Sequence, residues 1–153
     1  MALMLFFGLE SAHGAFSSVR DPRISMLEKF FDAYACPAPH YSADYIRAAD
    51  THNLDYRLLP AISLVESTCG VYERSNNRWG WNSGKKAFAS IPSGIYFITS
   101  QLAHGIYYRN KKTPAKLLMY NPVPQYSVQV QRLMRQIDPD ERPLPVEDLT
   151  LAR

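Results

Sequence analysis

Apolar residues recur every three to four positions along most of the chain, which is the period of an amphipathic α-helix. This pattern runs from residue 21 to residue 137 and predicts six helices in one mostly α-helical domain. The predicted helices lie near residues 21–35, 42–53, 55–69, 90–106, 113–120 and 126–137. No sustained alternation of apolar and polar residues, the pattern of a half-buried strand, competes with the helical period.

Residues at the predicted helix ends support these boundaries. Side chains that can cap a helix N-terminus precede four of the helices: Asp21, Ser42, Asp55 and Ser90. Asn53 tolerates the left-handed conformation that ends many helices, so we expect the second helix to stop there. Pro60 lies just past the first turn of the third helix, which predicts an irregular start or a start after Leu59.

Residues 70–89 interrupt the helical pattern. The segment GVYERSNNRWGWNSGKKAF contains three glycines and three asparagines with aromatic residues between them. A polar loop of this length is uncommon inside a compact domain unless it has a function. We therefore expect residues 70–89 to form a functional loop.

One residue on the third helix does not fit its surroundings. The face that the period predicts to be buried consists of Leu58, Ile62, Val65, Glu66 and Cys69. In an apolar cleft, desolvation would raise the pKa of Glu66 and keep the carboxyl protonated near neutral pH. A protonated carboxyl can supply the proton that the leaving oxygen of a glycosidic bond needs. The open alternative is an exposed Glu66 at the flank of the helix, paired with Arg57 or Arg74.

The loop that follows Glu66 carries side chains suited to binding sugars. Aromatic rings can stack on sugar faces, and amides can bind hydroxyl and N-acetyl groups. The aromatic residues are Tyr72, Trp79 and Trp81, and the amides are Asn76, Asn77 and Asn82. An alternative for either tryptophan is a packing role over the core.

The order of these motifs resembles the lysozyme-like superfamily, in particular bacterial peptidoglycan glucosaminidase domains and lytic transglycosylases. The resemblance covers residues 40–137 and includes the segments LLPAISLVESTCG, NNRWGWNSG and MYNP. It implies a lysozyme-like helical domain with a long active-site loop after the catalytic helix, with a small β-hairpin in that loop as an alternative. It also implies that Glu66 is the catalytic acid. The residues that it implies line the substrate cleft are Ser67, Asn77, Gly80, Trp81, Tyr120, Asn121 and Tyr126.

Departures from the family pattern favour the glucosaminidase branch. Thr68 stands where a glycine usually follows the Glu-Ser pair, and Gly80-Trp81 replaces the Gly-Leu-Met-Gln segment of many transglycosylases. We therefore expect hydrolysis of β-1,4 bonds in cell-wall peptidoglycan (murein). The alternatives are a lytic transglycosylase that leaves anhydro-muramic ends and a catalytically silent sugar-binding module.

The second catalytic group is less clear. Most glycosidases use two carboxylates, and the candidate is Glu73, whose alternative is a solvated loop charge beside Arg74. If there is no second carboxylate, the substrate's own 2-acetamido oxygen can attack the anomeric carbon. Tyr120 would then hold the acetamido group or position Glu66, and Asn121 would orient the sugar. The alternatives are packing for Tyr120 and helix capping for Asn121.

The charge distribution limits the classes of partner. The net charge is +3, but the stretch from Asp138 onward carries −3, so residues 1–137 carry +6. The basic residues form no block of the nucleic-acid-binding kind, and no apolar run approaches the roughly 20 residues of a membrane span. The histidines lack the spacing of metal ligands. We expect glycan strands as the partner, a monomer, and no cofactor, metal, nucleic acid or integral membrane segment.

The chain ends and the cysteines bear on its location. Residues 1–20 contain an apolar candidate leader segment without a basic start, and residues 138–153 form a proline-rich acidic tail. Cys36 and Cys69 are predicted to form one disulfide, with two separate buried thiols as the alternative. These features favour a secreted or periplasmic protein, with a cytoplasmic one as the alternative.

Overall fold

The computed structural model describes residues 20–140, and these residues contain six helices and no strand. The helices are α1 (Pro22–Ala33), α2 (Ser42–His52), α3 (Leu58–Ser67), α4 (Ile91–His104), α5 (Thr113–Tyr120) and α6 (Pro124–Ile137). The mostly α-helical prediction is confirmed. Residues 70–89 contain turns and no strand, so the β-hairpin alternative is not found there. None of the described helices is both long and apolar enough to cross a bilayer.

Two predicted caps are wrong in detail. Ser42 is the first residue of α2, and its hydroxyl donates to Glu28 of α1; the cap position is held by Tyr41 in a left-handed conformation. Asp55 accepts a hydrogen bond from the Arg57 backbone N–H, so it caps the turn before α3 and not the helix itself. Ser42 is thus engaged with another helix, and Asp55 with the turn that precedes α3.

Other helix ends agree with the boundaries predicted from the sequence. Ser90 and Ser93 form a capping box at the start of α4, and Asn53 ends α2 in the left-handed conformation. Helix α3 begins at Leu58, with Pro60 inside its first turn. A proline is tolerated there because the N–H groups of the first turn have no partner within the helix.

Helix α3 is the centre of the core. Leu58, Ala61 and Ile62 have no exposed surface. Helix α6 packs against α3, while α2 packs against α4, and α1 contacts both α2 and α6. Trp79 of the long loop is also fully buried and contacts Tyr45 and Phe88, so its alternative role as a core residue is the one observed. The loop is therefore anchored in the core and does not lie loosely on the surface.

A disulfide joins Cys36, after α1, to Cys69, just past the end of α3. The two residues are 33 positions apart in sequence. Because Cys69 follows the last turn of α3, the disulfide ties the end of that helix to the segment between α1 and α2.

Candidate active site

Glu66 lies in the last turn of α3, which ends one residue later because Thr68 adopts a left-handed conformation. The Glu66 side chain is exposed as a whole. Even so, desolvation by the atoms around its carboxyl raises the pKa of Glu66. Glu66 forms no ion pair within the described residues, and Arg57, one of its candidate partners, binds Asp55 instead. The Glu66 residue therefore combines access from solvent with a carboxyl pKa above its ordinary value.

Gly80 is where the long loop meets this carboxyl. Gly80 has a φ of +62°, and a Cβ added to it would lie 2.6 Å from Oε2 of Glu66. Any larger residue would have to displace the carboxyl and adopt a strained backbone. The Gly80 backbone is therefore one of the groups packed against the Glu66 carboxyl.

Two tyrosines stand beside Glu66. The Tyr126 hydroxyl is buried and lacks a hydrogen bond of regular geometry, but its interaction with Glu66 partly opposes the rise in the Glu66 pKa. Burial, with a smaller effect of Glu66, raises the pKa of Tyr126. The ring of Tyr120 stacks on that of Tyr126 with centroids 6.2 Å apart, and the Tyr120 hydroxyl donates to the Trp79 carbonyl oxygen. Tyr120 therefore connects the loop backbone to the ring of Tyr126. The Tyr126 hydroxyl interacts with the Glu66 carboxyl.

A cluster of four aromatic side chains, which we call the aromatic wall, includes Tyr120 and the loop residue Trp81. It consists of Trp81, Phe97, Tyr108 and Tyr120. The Trp81 ring lies at its centre, with centroid distances of 5.7 Å to Tyr120, 5.9 Å to Tyr108 and 6.2 Å to Phe97. The sequence analysis identified Trp81 and Tyr120 but missed the other two, because Phe97 lies off the apolar stripe of α4 and Tyr108 follows its end.

Two of the three loop amides, those of Asn76 and Asn77, bind backbone groups of the loop, while Asn82 is exposed. Asn77 is buried; its Nδ2 donates to the carbonyls of Trp81 (3.0 Å) and Lys86 (2.9 Å), and its Oδ1 accepts from the Trp81 N–H. Asn76 likewise donates to the Phe88 carbonyl. The Asn77 amide therefore holds the loop closed, and its predicted contact with substrate stays a prediction.

Ser67 and Asn121 also bind backbone. The Ser67 hydroxyl is buried, donates to the Arg78 carbonyl at 2.7 Å and accepts from the Gly70 N–H. Asn121 follows the last residue of α5, and its Oδ1 accepts from the Val123 N–H. Ser67 therefore connects α3 to the loop, and Asn121 shapes the turn between α5 and α6, as its capping alternative expected.

Glu73 is engaged elsewhere. Its carboxylate accepts from Nε of Arg78 at 2.8 Å, beside Gly70. Its cationic partner is thus Arg78 and not Arg74. Within the described residues, no other charged group contributes to the shift of the Glu66 pKa. Of the two candidate carboxyls, Glu73 is ion-paired with Arg78, whereas Glu66 has no ion pair within the described residues.

A concavity of about 240 Å³ lies elsewhere on the surface, lined by residues that include Arg57, Lys112 and Arg135. Its one carboxylate, that of Asp55, is ion-paired with Arg57. A larger concavity of about 460 Å³ is lined by Pro124, Gln125, Val128, Gln129 and Arg132. Glu66 lines neither of them, so their size does not make them the candidate site. In the described part of the chain, no three His, Cys, Asp or Glu residues are grouped as metal ligands.

Comparison with known proteins identifies no relative. No family model, no curated protein and no solved structure matches this chain.

Proposed function

We propose that the protein is a peptidoglycan glycosidase with a lysozyme-like fold, in which Glu66 is the general acid and then the general base. The observation that carries the proposal is a solvent-accessible carboxyl whose pKa is raised by desolvation at the junction of a core helix and a long aromatic loop. Such a carboxyl can remain protonated at a pH at which most carboxyls are ionised.

The first step would transfer the Glu66 proton to the oxygen between two sugars. The bond from the anomeric carbon to that oxygen breaks, and its electron pair stays with the protonated leaving group. Because Glu73 is neutralised by Arg78, the nucleophile would be the carbonyl oxygen of the substrate's own 2-acetamido group. The ionised Glu66 would then accept a proton from the water that attacks the anomeric carbon.

The surroundings of Glu66 suit a sugar in this position. The aromatic wall offers the Trp81 ring, which is half-buried and leaves part of its surface open for stacking. The Tyr126 hydroxyl, which has no regular partner, is the group available to bind the acetamido oxygen or the carboxyl. The Tyr120 hydroxyl is already bound to Trp79. We therefore assign the acetamido contact to Tyr126 and a supporting role to Tyr120.

A second candidate function is lytic transglycosylation, in which the sugar's own 6-hydroxyl replaces water. The amides of Asn76 and Asn77 both donate to loop carbonyls, so these two donors are not free to hold a water. A cleft without those donors has less to orient water on the face opposite the leaving group. The products of the two reactions differ in mass by one water.

The disulfide supports an oxidising compartment, so we propose a secreted or periplasmic monomer acting on glycan strands. A leader segment within residues 1–20 remains a prediction, since these positions, apart from Arg20, lie outside the described residues.

The test is digestion of purified peptidoglycan by the full chain, with mass spectrometry of the released fragments. Glu66→Gln should abolish release, while Asp32→Asn, the same change at a side chain that is 74% exposed on α1, should not. Normal release by Glu66→Gln would show that Glu66 is not the acid. Binding to peptidoglycan without any release by the wild type would identify a silent sugar-binding module.

A further inference from the structure

Charge is strongly segregated along this chain. Residues 74–137 contain ten Lys and Arg and no Asp or Glu, whereas residues 21–73 contain eight acids and four bases. The first stretch includes α4, α5 and α6, and the second includes α1, α2 and α3. All the acids of residues 21–137 therefore lie in residues 21–73, and ten of the fourteen bases lie in residues 74–137.

Most of the cations in residues 74–137 form no ion pair with the residues that the structure describes. Arg78 binds Glu73, and Lys116 is buried. The other eight are exposed, and none of them forms an ion pair within the described part of the chain. Exposed cations without counter-charges create a positive potential that attracts polyanions.

The 105–112 loop, between α4 and α5, combines this charge with an apolar tip. Ile106 is 72% exposed and Tyr107 is 68% exposed, and they are adjacent in sequence. Arg109, Lys111 and Lys112 follow within five residues, and all three are exposed. Two large apolar side chains flanked by three cations are typical of segments that enter the interfacial region of an anionic bilayer.

Hydrogen bonds and a ring contact fix the conformation of the 105–112 loop. Nζ of the buried Lys116 donates to the Leu102 carbonyl at 2.6 Å and to the Tyr108 carbonyl at 2.7 Å. The Tyr108 ring packs on Trp81, and the Tyr108 N–H donates to the Gly105 carbonyl. These contacts fix the residues on both sides of Ile106 and Tyr107. Little ordering of the loop is needed on binding, which reduces its entropic cost.

We propose that the 105–112 loop docks the protein on an anionic lipid bilayer, with Ile106 and Tyr107 in the interface and Arg109, Lys111 and Lys112 at the headgroup phosphates. A soluble polyanion would satisfy the cations but leave the apolar pair in water. A bilayer satisfies both, because its charged headgroups lie directly over an apolar layer. This inference does not depend on the glycosidase proposal.

Co-sedimentation of the full chain with vesicles tests it. The protein should bind vesicles with about 30 mol% phosphatidylglycerol in phosphatidylcholine, and binding should fall sharply in about 0.5 M salt. Lys111→Gln and Lys112→Gln should each weaken binding about 5-fold. Tyr107→Trp should show a blue shift of its fluorescence on these vesicles, which reports entry into the apolar layer and which charge attraction alone would not produce.

Matched controls separate the loop from overall charge. Lys29→Gln removes an exposed cation from α1 that, like Lys112, forms no ion pair within the described residues, and it should leave binding unchanged. Equal weakening by Lys29→Gln and Lys112→Gln would overturn the proposal. So would an unshifted Tyr107→Trp emission, or equal binding of wild type and Ile106→Ser, since either result would indicate a general polyanion-binding surface.

Discussion

Gly80 lies so close to Glu66 that a Cβ on residue 80 would be 2.6 Å from the carboxyl oxygen Oε2. The backbone of the long loop thus forms one wall around the carboxyl. This contact connects the sequence of the loop to the chemistry proposed for α3, because removing water from the carboxyl raises its pKa.

Gly80→Ala should displace the Glu66 carboxyl and lower activity by about 10-fold to 100-fold, since a misplacement of about 1 Å has effects of this size. The matched control is Gly84→Ala, which shares the positive φ (+74°) but would meet no atom within 4 Å. Both variants should lose about 1 kcal/mol of stability from backbone strain. Equal activity of the two variants on peptidoglycan would contradict a specific role for the Gly80 contact.

Glu66→Gln should lower peptidoglycan cleavage by at least about 100-fold while preserving the fold. Because the folded-state pKa of Glu66 is raised, its contribution to stability is fully present below the unfolded pKa and is lost as pH rises through the folded pKa. Thermal midpoints of the two proteins across pH should therefore shift in favour of the variant as the pH increases. Wild-type activity should fall over the same rise in pH.

Tyr126→Phe and Tyr120→Phe should have different effects, which would distinguish the roles of the two stacked tyrosines. The Tyr126 hydroxyl opposes the rise in the Glu66 pKa, so its removal should move the alkaline limit of activity to higher pH. Stability should change little, because that hydroxyl has no regular hydrogen bond. Tyr120→Phe removes the bond to the Trp79 carbonyl and should cost about 1 kcal/mol. Denaturation curves and pH–rate profiles measure both effects, and identical behaviour of the two variants would contradict the assignment.

Reduction of the Cys36–Cys69 disulfide should destabilise the protein by about 3–4 kcal/mol, the chain-entropy value for closing a loop of this length. Intact-mass analysis should show no alkylation without reductant and two alkylated sites after reduction. The double variant Cys36→Ser with Cys69→Ser should match the reduced protein in urea denaturation. Two alkylated sites in the untreated protein would show that no disulfide forms.

Truncation should be tolerated after Asp140 but not after Ile137. The Asp138 carbonyl accepts from Arg57 at 2.7 Å, and its carboxylate accepts from the Tyr56 hydroxyl. Removing these acceptors leaves the buried Arg57 short of a partner and should cost about 1–3 kcal/mol. Equal thermal midpoints of the two truncated proteins would show that Asp138 contributes nothing to the core.

The sequence by itself determined the helices. The apolar period, the prolines at helix starts and the Ser90 cap predicted the elements to within a few residues, because these signals act between neighbours in the chain. It also singled out Glu66, since one carboxyl on an otherwise apolar stripe is visible without any knowledge of the fold.

Tertiary structure alone decided what the polar side chains contact. Three polar side chains are of types that commonly bind ligands, yet each one binds a group within the long loop or at its ends: Asn77, Ser67 and Glu73. Phe97 and Tyr108 belong to the aromatic wall, although the apolar periodicity of the sequence did not identify either residue as part of the site. Hydrogen-bond partners and ring contacts depend on which segments pack together, and a local periodicity of three to four residues carries no information about that.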